Sequence, residues 1–398
     1  MSADPQAPAV GSPPATARSA AAALGNLALY VHVPFCARRC TYCDFDFEIG
    51  GRPRTQAFVA GLAREVSRRA PELAGRVRTI YFGGGTPSLV GVGGLEAIAQ
   101  VLAPWIDGDP LDEFTVELNP EHVDEALLAA LRRIGVDRVS LGVQSFEAPA
   151  LRQLGRAHDP KRAHEAVAAC LAAGFRTSVD LIVGWPGQDT AALDRDLDRV
   201  LGLGVAHLSV YALTIEAGTS WPKLVRRGLR VLPDDDAQAG ALEQTHARLV
   251  GEGLEHYEVA SYARVGERAQ HNGVYWSWRD YVGIGPSAAS AVYDGRGGVV
   301  RRTNPRGLDA WLTDAPPEIE QLDPTAAAAE GLWLALRTAE GVEIDAFLRR
   351  FAAVDEAWLR ARVDRRVRSG DLQWHQRRLC TAPGRWMVLD AIATDVLA

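Results

Sequence analysis

The stretch Tyr30-Val-His-Val-Pro-Phe-Cys36-Ala-Arg-Arg-Cys40-Thr-Tyr-Cys43-Asp-Phe45 sets three cysteines within eight residues, directly behind the β-rich run Leu29–Val33. Intervals of three and two residues let one tight loop turn all three thiolates towards a single centre. A loop that follows the first strand of an α/β sheet lies at that strand's carboxyl end, where such folds keep their active sites. Three thiolates can hold a metal cluster and leave one metal open to a small molecule. Zinc is the competing reading, but structural zinc wants four ligands, usually as two separated pairs. His32, the candidate fourth ligand, alternates with Tyr30 along the strand and reads as packing or bonding locally.

Outward from this loop the chain repeats a β-then-helix rhythm. Strand candidates are Leu29–Val33, Thr79–Phe82, Phe114–Leu118, Arg138–Val143, Ser178–Val183 and His207–Leu213. Between them Phe58, Leu62 and Val66 share one helical face, as do Leu127, Leu131 and Ile134, and Leu193, Leu197 and Val200. Gly135 and Gly174 fall where a helix would stop and feed the next strand. Repeated βα units imply a parallel sheet with right-handed crossovers. Six units are too few for a closed eight-fold barrel. The expected fold is therefore α/β, a partial (β/α)6 barrel, although a doubly wound sheet would produce the same local pattern.

Beyond the barrel a long helix is expected over Asp235–Glu252, then a polar, aromatic stretch over His256–Tyr281, a loop at Gly283–Pro286 and a linker over Pro305–Pro324. Helical patterns at Ala326–Leu336, Asp345–Phe351 and Glu356–Val367 precede Gly370 and two short strands, Leu372–His375 and Arg378–Thr381. Helices followed by a small hairpin suggest a winged-helix-like α/β module. The expected division is a disordered tail over 1–26, the barrel over 27–260, an extension and linker over 261–318 and the C-terminal module over 319–398.

Composition narrows the function. A length of 398 residues suits a large α/β body with a smaller module, and a 47% hydrophobic fraction supports a sizeable core. The formal net charge of −7 argues against a general nucleic-acid binder, while leaving room for a local basic pocket. No uninterrupted apolar run reaches the roughly 18–20 residues of a membrane span. The Ala/Pro/Ser-rich first 25 residues, broken by Gly11, Pro13 and Pro14, lack the basic start and apolar segment of a secretory signal. Five cysteines, an odd count, make a poor disulfide framework and suit a reducing cytoplasm. Cys170 shares helical spacing with Val167 and Leu171 and reads as core; Cys380 falls in the terminal hairpin and reads as packing.

Further polar residues sit at strand ends. Gly83-Gly84-Gly85-Thr86-Pro87 follows the second strand, where glycines let the backbone approach a ligand and offer unobstructed amides. Glu117 ends the third strand, where a carboxylate can accept hydrogen bonds from ribose hydroxyls; Gln144 ends the fourth. Arg156 opens the following helical region and Asp180 lies on the fifth strand. Taken singly, each is equally readable as a surface ion pair or a helix cap. Their shared position is the stronger argument.

The C-x3-C-x2-C loop, with Tyr42 before its last cysteine, resembles the radical S-adenosylmethionine superfamily. The phrases around Glu117, Gln144, Arg156 and Asp180, with Tyr211-Ala212-Leu-Thr-Ile-Glu216-Ala-Gly218-Thr219, resemble the oxygen-independent coproporphyrinogen III oxidase family, and the likeness covers nearly the whole chain after residue 27. The resemblance implies a 4Fe–4S cluster on Cys36, Cys40 and Cys43. Its open iron chelates the amino and carboxylate groups of S-adenosyl-L-methionine, and reduction cleaves the sulfonium to a 5′-deoxyadenosyl radical. It also implies that Tyr30, Tyr42, Gly84, Gly85, Thr86, Glu117, Gln144, Arg156, Asp180 and Ala212 line the cofactor pocket, the glycine motif contacting the methionine amino group.

The oxidase branch of that family follows its third cluster cysteine with Gly-Cys; here Asp44 and Phe45 stand instead. That branch also carries a structured N-terminal arm in place of an Ala/Pro-rich tail. Conversely, His271-Asn272-Gly-Val-Tyr275-Trp276, followed by Tyr281-Val-Gly-Ile-Gly285-Pro, is similar to the heme chaperone branch. That likeness implies heme as ligand, with His271 as an iron ligand and Tyr or Trp faces against the macrocycle. Taken alone, His271 reads equally as a hydrogen-bonding loop residue. The implied partners are a heme-acceptor protein, through which peripheral membrane contact arises, and an electron donor such as flavodoxin or ferredoxin. The alternatives are coproporphyrinogen III dehydrogenation or another radical reaction on a tetrapyrrole, and a zinc-stabilised binding module.

Overall fold

The computed structural model describes residues 26–50, 52–73, 76–106, 110–294 and 297–397, so all but the last residue of the expected tail lies outside them. The six predicted strands form at their expected places: β1 (Asn26–Val33), β2 (Arg76–Gly84), β3 (Glu113–Leu118), β4 (Arg138–Gln144), β5 (Arg176–Val183) and β6 (His207–Ala212). Each pairs in parallel with the next. The helices between them are α1 (Thr55–Arg68), α2 (Gly91–Ile106), α3 (Glu125–Arg133), α4 (Ala148–Leu154), α5 (Pro160–Ala172) and α6 (Thr190–Gly202). Several starts are fixed by the same device. Asp124, Asp159 and Asp189 each accept the amide three residues on, at 2.7 Å, a cap of about 1 kcal/mol apiece.

Strand periodicity decides which residues reach the barrel interior. On β5, Val179, Leu181 and Val183 join the core under the helices, whereas Asp180 and Ile182 face a cavity inside the sheet. Leu95, Ile98 and Leu102 of α2 are fully buried in that core. The 19-residue stretch Pro87–Trp105, mean hydropathy 1.2, is long and apolar enough to cross a membrane by length and composition. In this fold its apolarity serves packing against the sheet.

Two expected loops prove to be structure. After α7 (Asp235–Gly251) come β7 (Glu255–Glu258), β8 (Ser261–Ala263) and α8 (Gln270–Trp276). The expected loop at 283–286 begins inside β9 (Tyr281–Ile284), which pairs in parallel with β1 and adds a seventh parallel strand. β10 (Ala289–Tyr293) and β11 (Val299–Thr303) follow antiparallel. The expected linker at 305–324 contains α9 (Leu308–Leu312) and β12 (Glu318–Leu322). The resulting sheet has twelve strands in the order β12-β11-β10-β9-β1-β2-β3-β4-β5-β6-β8-β7. It is open, as expected of a partial barrel.

The C-terminal elements are α10 (Pro324–Ala335), β13 (Val342–Glu343), α11 (Ile344–Arg350), α12 (Glu356–Arg368), β14 (Leu372–His375), β15 (Arg378–Thr381) and α13 (Leu389–Leu397). The three strands form their own sheet in the order β13-β15-β14, the helix-strand-helix-helix-hairpin sequence of a winged-helix-like module. Their core, built around Phe347, Phe351, Leu359 and Ile392, also takes in Ala291 and Val299 from β10 and β11.

Candidate functional site

The cysteine loop leaves β1 and is pinned on both sides. Glu48 N donates to Pro34 O at 2.7 Å and Gly50 N to Cys36 O at 2.8 Å. Thr41 donates its amide to Leu154 O at 3.1 Å and its hydroxyl to Gln153 O at 2.8 Å, tying the loop to α4. Cys36, Cys40 and Cys43 all line one cavity of ≈ 1070 Å³ at the carboxyl ends of the parallel strands. All five cysteines are free thiols; Cys170 is core, as expected.

The expected cofactor residues Tyr42, Gly84, Gly85, Thr86, Glu117, Gln144, Arg156, Asp180 and Ala212 line this same cavity. Gln144 reaches it through a left-handed backbone, φ 70°, at an irregularity in the β4–β5 register; strain of this kind concentrates at ligand sites. Arg156 Nη2 donates to Asn119 Oδ1 and to Gly142 O, both at 2.6 Å, and Nη1 lies 3.4 Å from Cys40 Sγ. Its Nε is buried without a partner. Asn119 in turn donates to Thr86 Oγ1 at 3.2 Å, and Thr86 Oγ1 lies 3.5 Å from Cys36 Sγ. Asn119 is thus the hub between cysteine loop, glycine motif and arginine.

The glycine motif also has a structural task. Gly85 N donates to Val33 O at 2.9 Å and Thr86 N to Phe35 O at 2.7 Å, so these amides hold the cysteine loop. The absence of side chains is what permits the approach. A Cβ on Gly85 would stand 2.6 Å from Phe35 O, and one on Gly84, φ +103°, 2.6 Å from the His32 ring.

Burial sets the charge state of the site. It pushes Cys36 up to about 11 and raises Cys43, so thiolates here need a positive centre to stabilise them. It also lifts Glu117 to about 7, against the Tyr81 hydroxyl that donates to it at 2.7 Å. Asp180 rises to about 6 for the same reason, although Ser140 donates to it at 3.3 Å. Three thiols gathered beside an arginine with a spare donor and two carboxyls of raised pKa fit a metal cluster with a polar ligand bound to it. Among the described residues no three His, Cys, Asp or Glu gather around a single-ion position. One tetrahedral zinc would need its sulfurs about 3.8 Å apart, from Zn–S bonds of about 2.3 Å.

Three candidates sit elsewhere. Tyr30 does not line the cavity: it stacks on Tyr81 with ring centroids 6.1 Å apart, and its hydroxyl lies 3.1 Å from His32 Nδ1. His32 uses its other nitrogen on Asp46 O at 2.9 Å, so it is no fourth metal ligand. His271 is buried on α8, with Nδ1 2.9 Å from Thr79 Oγ1 and Nε2 2.9 Å from the Tyr275 hydroxyl. Burial lowers it to about 3. Both nitrogens are engaged in hydrogen bonds, and the residue braces β2 against α8.

Two histidines that the sequence reading passed over do line the cavity, His246 on α7 and His256 on β7. Their rings lie 5.2 Å apart, and His256 is held between Tyr262 at 4.3 Å and Trp386 at 4.4 Å. The available signal was alternation on β7, which sends His256 and Tyr257 to opposite faces.

Residues 30–200 match the family model of the radical SAM superfamily, the class that loop, sheet and cavity define. The heme chaperone HemW of Mycobacterium tuberculosis (strain ATCC 25618 / H37Rv) is 36% identical over 377 residues, 93% of this chain and 94% of that protein. HemW of Escherichia coli (strain K12) is 33% identical over 358 residues, 88% of this chain and 92% of its own. The chain belongs to the HemW family. The solved structure of E. coli coproporphyrinogen III oxidase (HemN), a radical SAM enzyme, matches with a TM-score of 0.79 over 93% of this chain and 90% of that one. At 20% identity this is a likeness of fold.

Proposed function

We propose that this chain is a cytoplasmic heme chaperone. It holds a 4Fe–4S cluster on Cys36, Cys40 and Cys43, binds S-adenosylmethionine beside it, accepts heme in the same cavity and passes it to an acceptor protein. One observation carries the reading. The cysteine loop occupies one part of a ≈ 1070 Å³ cavity, the polar strand-end residues another, and His246, His256, Tyr262 and Trp386 form a separate aromatic corner. Pockets for one drug-sized ligand span about 300–1,000 Å³, so this one stands at the top of that range, as a cavity shared by a cofactor and a second, flat ligand should. The names of the HemW relatives agree.

When bound, the cluster and S-adenosylmethionine supply one-electron chemistry at the sulfonium. The chain's own residues bind and orient. Glu117 and Asp180 accept hydrogen bonds from cofactor hydroxyls, and Arg156 with Asn119 fixes the loop that carries Cys40. A low-potential donor of the flavodoxin or ferredoxin kind supplies the electron. Free thiols suit a reducing cytoplasm, and any membrane contact comes through the acceptor. Asp44 and Phe45, which line the cavity where the oxidase branch has Gly-Cys, disfavour the oxidase reaction.

Anaerobic reconstitution tests this directly. Wild-type protein should take up iron and sulfide and bind heme, and a C36A/C40A/C43A variant should lose the cluster spectrum. Protoporphyrinogen formation from coproporphyrinogen without heme binding would reject the chaperone reading.

A further inference from the structure

Of the histidines among the described residues, His246 and His256 alone line the cavity. His256 is fixed edge-in between Tyr262, 12° from parallel, and Trp386, and its Nδ1 is buried without a hydrogen-bond partner. His246, in the second half of α7, is exposed and lines the cavity, with ring contacts to His256 and Tyr262 and, among the described residues, no hydrogen bond or ion pair. The two imidazoles meet edge to face at 64°. His256 is enclosed between two aromatic rings, whereas His246 stays open to the cavity.

We propose that heme docks in this corner, with His246 as its axial iron ligand and the Trp386 ring packing against the macrocycle. Neutral imidazole is a good iron ligand, and an indole face suits a flat aromatic cargo. This rests on the heme-chaperone reading and adds the position of the cargo: on the β6–β7–α7 side of the cavity, away from α8. His271, with both nitrogens engaged, plays no part in ligation. The corner is closed in part by Trp386 and Met387, which precede α13, so the C-terminal module supplies one wall of the heme site.

The test uses the full-length, cluster-loaded protein under anoxia, titrated with ferric heme and followed by difference absorption and EPR. Wild type should show an imidazole-ligated heme. His246→Ala, at an exposed position, should lose that signature and weaken heme binding at least about tenfold, the scale of losing support around a metal. Added imidazole should restore the spectrum. His256→Phe, which keeps the ring stack and removes both nitrogens, should retain ligation. An unchanged imidazole signature in His246→Ala, or its loss in His256→Phe alone, would overturn the assignment while leaving the chaperone reading intact. Wild-type protein that binds no heme would overturn both.

Discussion

Glu117→Gln should make the cofactor-free protein more stable at pH 8 and no more stable at pH 5. Burial lifts this carboxyl from 4.5 to about 7, with Asp180 across the barrel adding repulsion against the relief given by Tyr81. At 1.36 kcal/mol per unit, that move corresponds to about 3.4 kcal/mol. The side chain is only half-buried where it borders the cavity, so water screening reduces the figure to about 1–2 kcal/mol. The sign follows from proton linkage. Between pH 4.5 and about 7 the folded state holds a proton that the unfolded state has released, so stability falls as pH rises through this window. Glutamine removes the penalty and still accepts from Tyr81. Urea unfolding of wild type and variant, followed by tryptophan fluorescence at pH 5, 6, 7 and 8, should show a difference growing to about 1–2 kcal/mol. A variant equally destabilised at every pH would refute the reasoning. Affinity for S-adenosylmethionine should move the opposite way, because a carboxylate kept at such a cost belongs to a site whose ligand repays it.

Two other substitutions probe the frame around the site. Glu65 is a buried carboxylate on α1 that accepts from Gly285 N at 2.9 Å, Asn304 Nδ2 at 2.7 Å and Trp311 Nε1 at 2.9 Å, with Arg69 at 3.5 Å. Glu65→Ala should cost about 3–5 kcal/mol in urea unfolding, and a loss under about 1 kcal/mol would contradict that account. Arg156→Lys replaces a planar fork by a point charge. S-adenosylmethionine affinity by calorimetry should drop about tenfold, one lost charge-assisted hydrogen bond, and an unchanged affinity would remove Arg156 from the site.

The readable parts of the fold were those that carry a local period. The barrel strands alternate or run apolar, the helices carry a stripe, and Leu372–His375 and Arg378–Thr381 form at the expected residues. β9 escaped because Tyr281-Val-Gly-Ile is short and followed by Gly-Pro, which reads as a loop; long-range pairing with β1 makes it a strand. β12, Glu-Ile-Glu-Gln-Leu, is mostly exposed at a sheet edge, and so resembles a linker in sequence. In the site, position at strand ends and the family likeness picked out the residues but not their depth. Tyr30 faces the interior yet lies deeper than the cavity, two residues before His32. His271 sat in a polar, aromatic phrase that suits a ligand site, but Thr79, on a strand far away in sequence, claims its nitrogen. His246 and His256 meet only because α7 folds back over β7, a contact without a local signature.

The residues that depart from the oxidase pattern also impose a demand elsewhere. Asp44 follows Cys43, and a Cβ on Gly218 would stand 2.4 Å from its Oδ1 and 3.1 Å from its Cγ. The backbone around Asp44 is anchored, since Arg306 donates to its carbonyl at 3.1 Å and Asp46, two residues on, is held by Ser287 at 2.6 Å and Gly307 N at 2.7 Å. Gly218→Ala should therefore displace the Cys43 end of the loop with little effect on the sheet. Iron and sulfide content after anaerobic reconstitution should fall while circular dichroism stays unchanged. Adding Asp44→Gly should restore the cluster, because the two positions couple by direct contact. Full iron content in Gly218→Ala would show that the loop yields at this point, and that the tight fit between Asp44 and Gly218 does not govern the cluster.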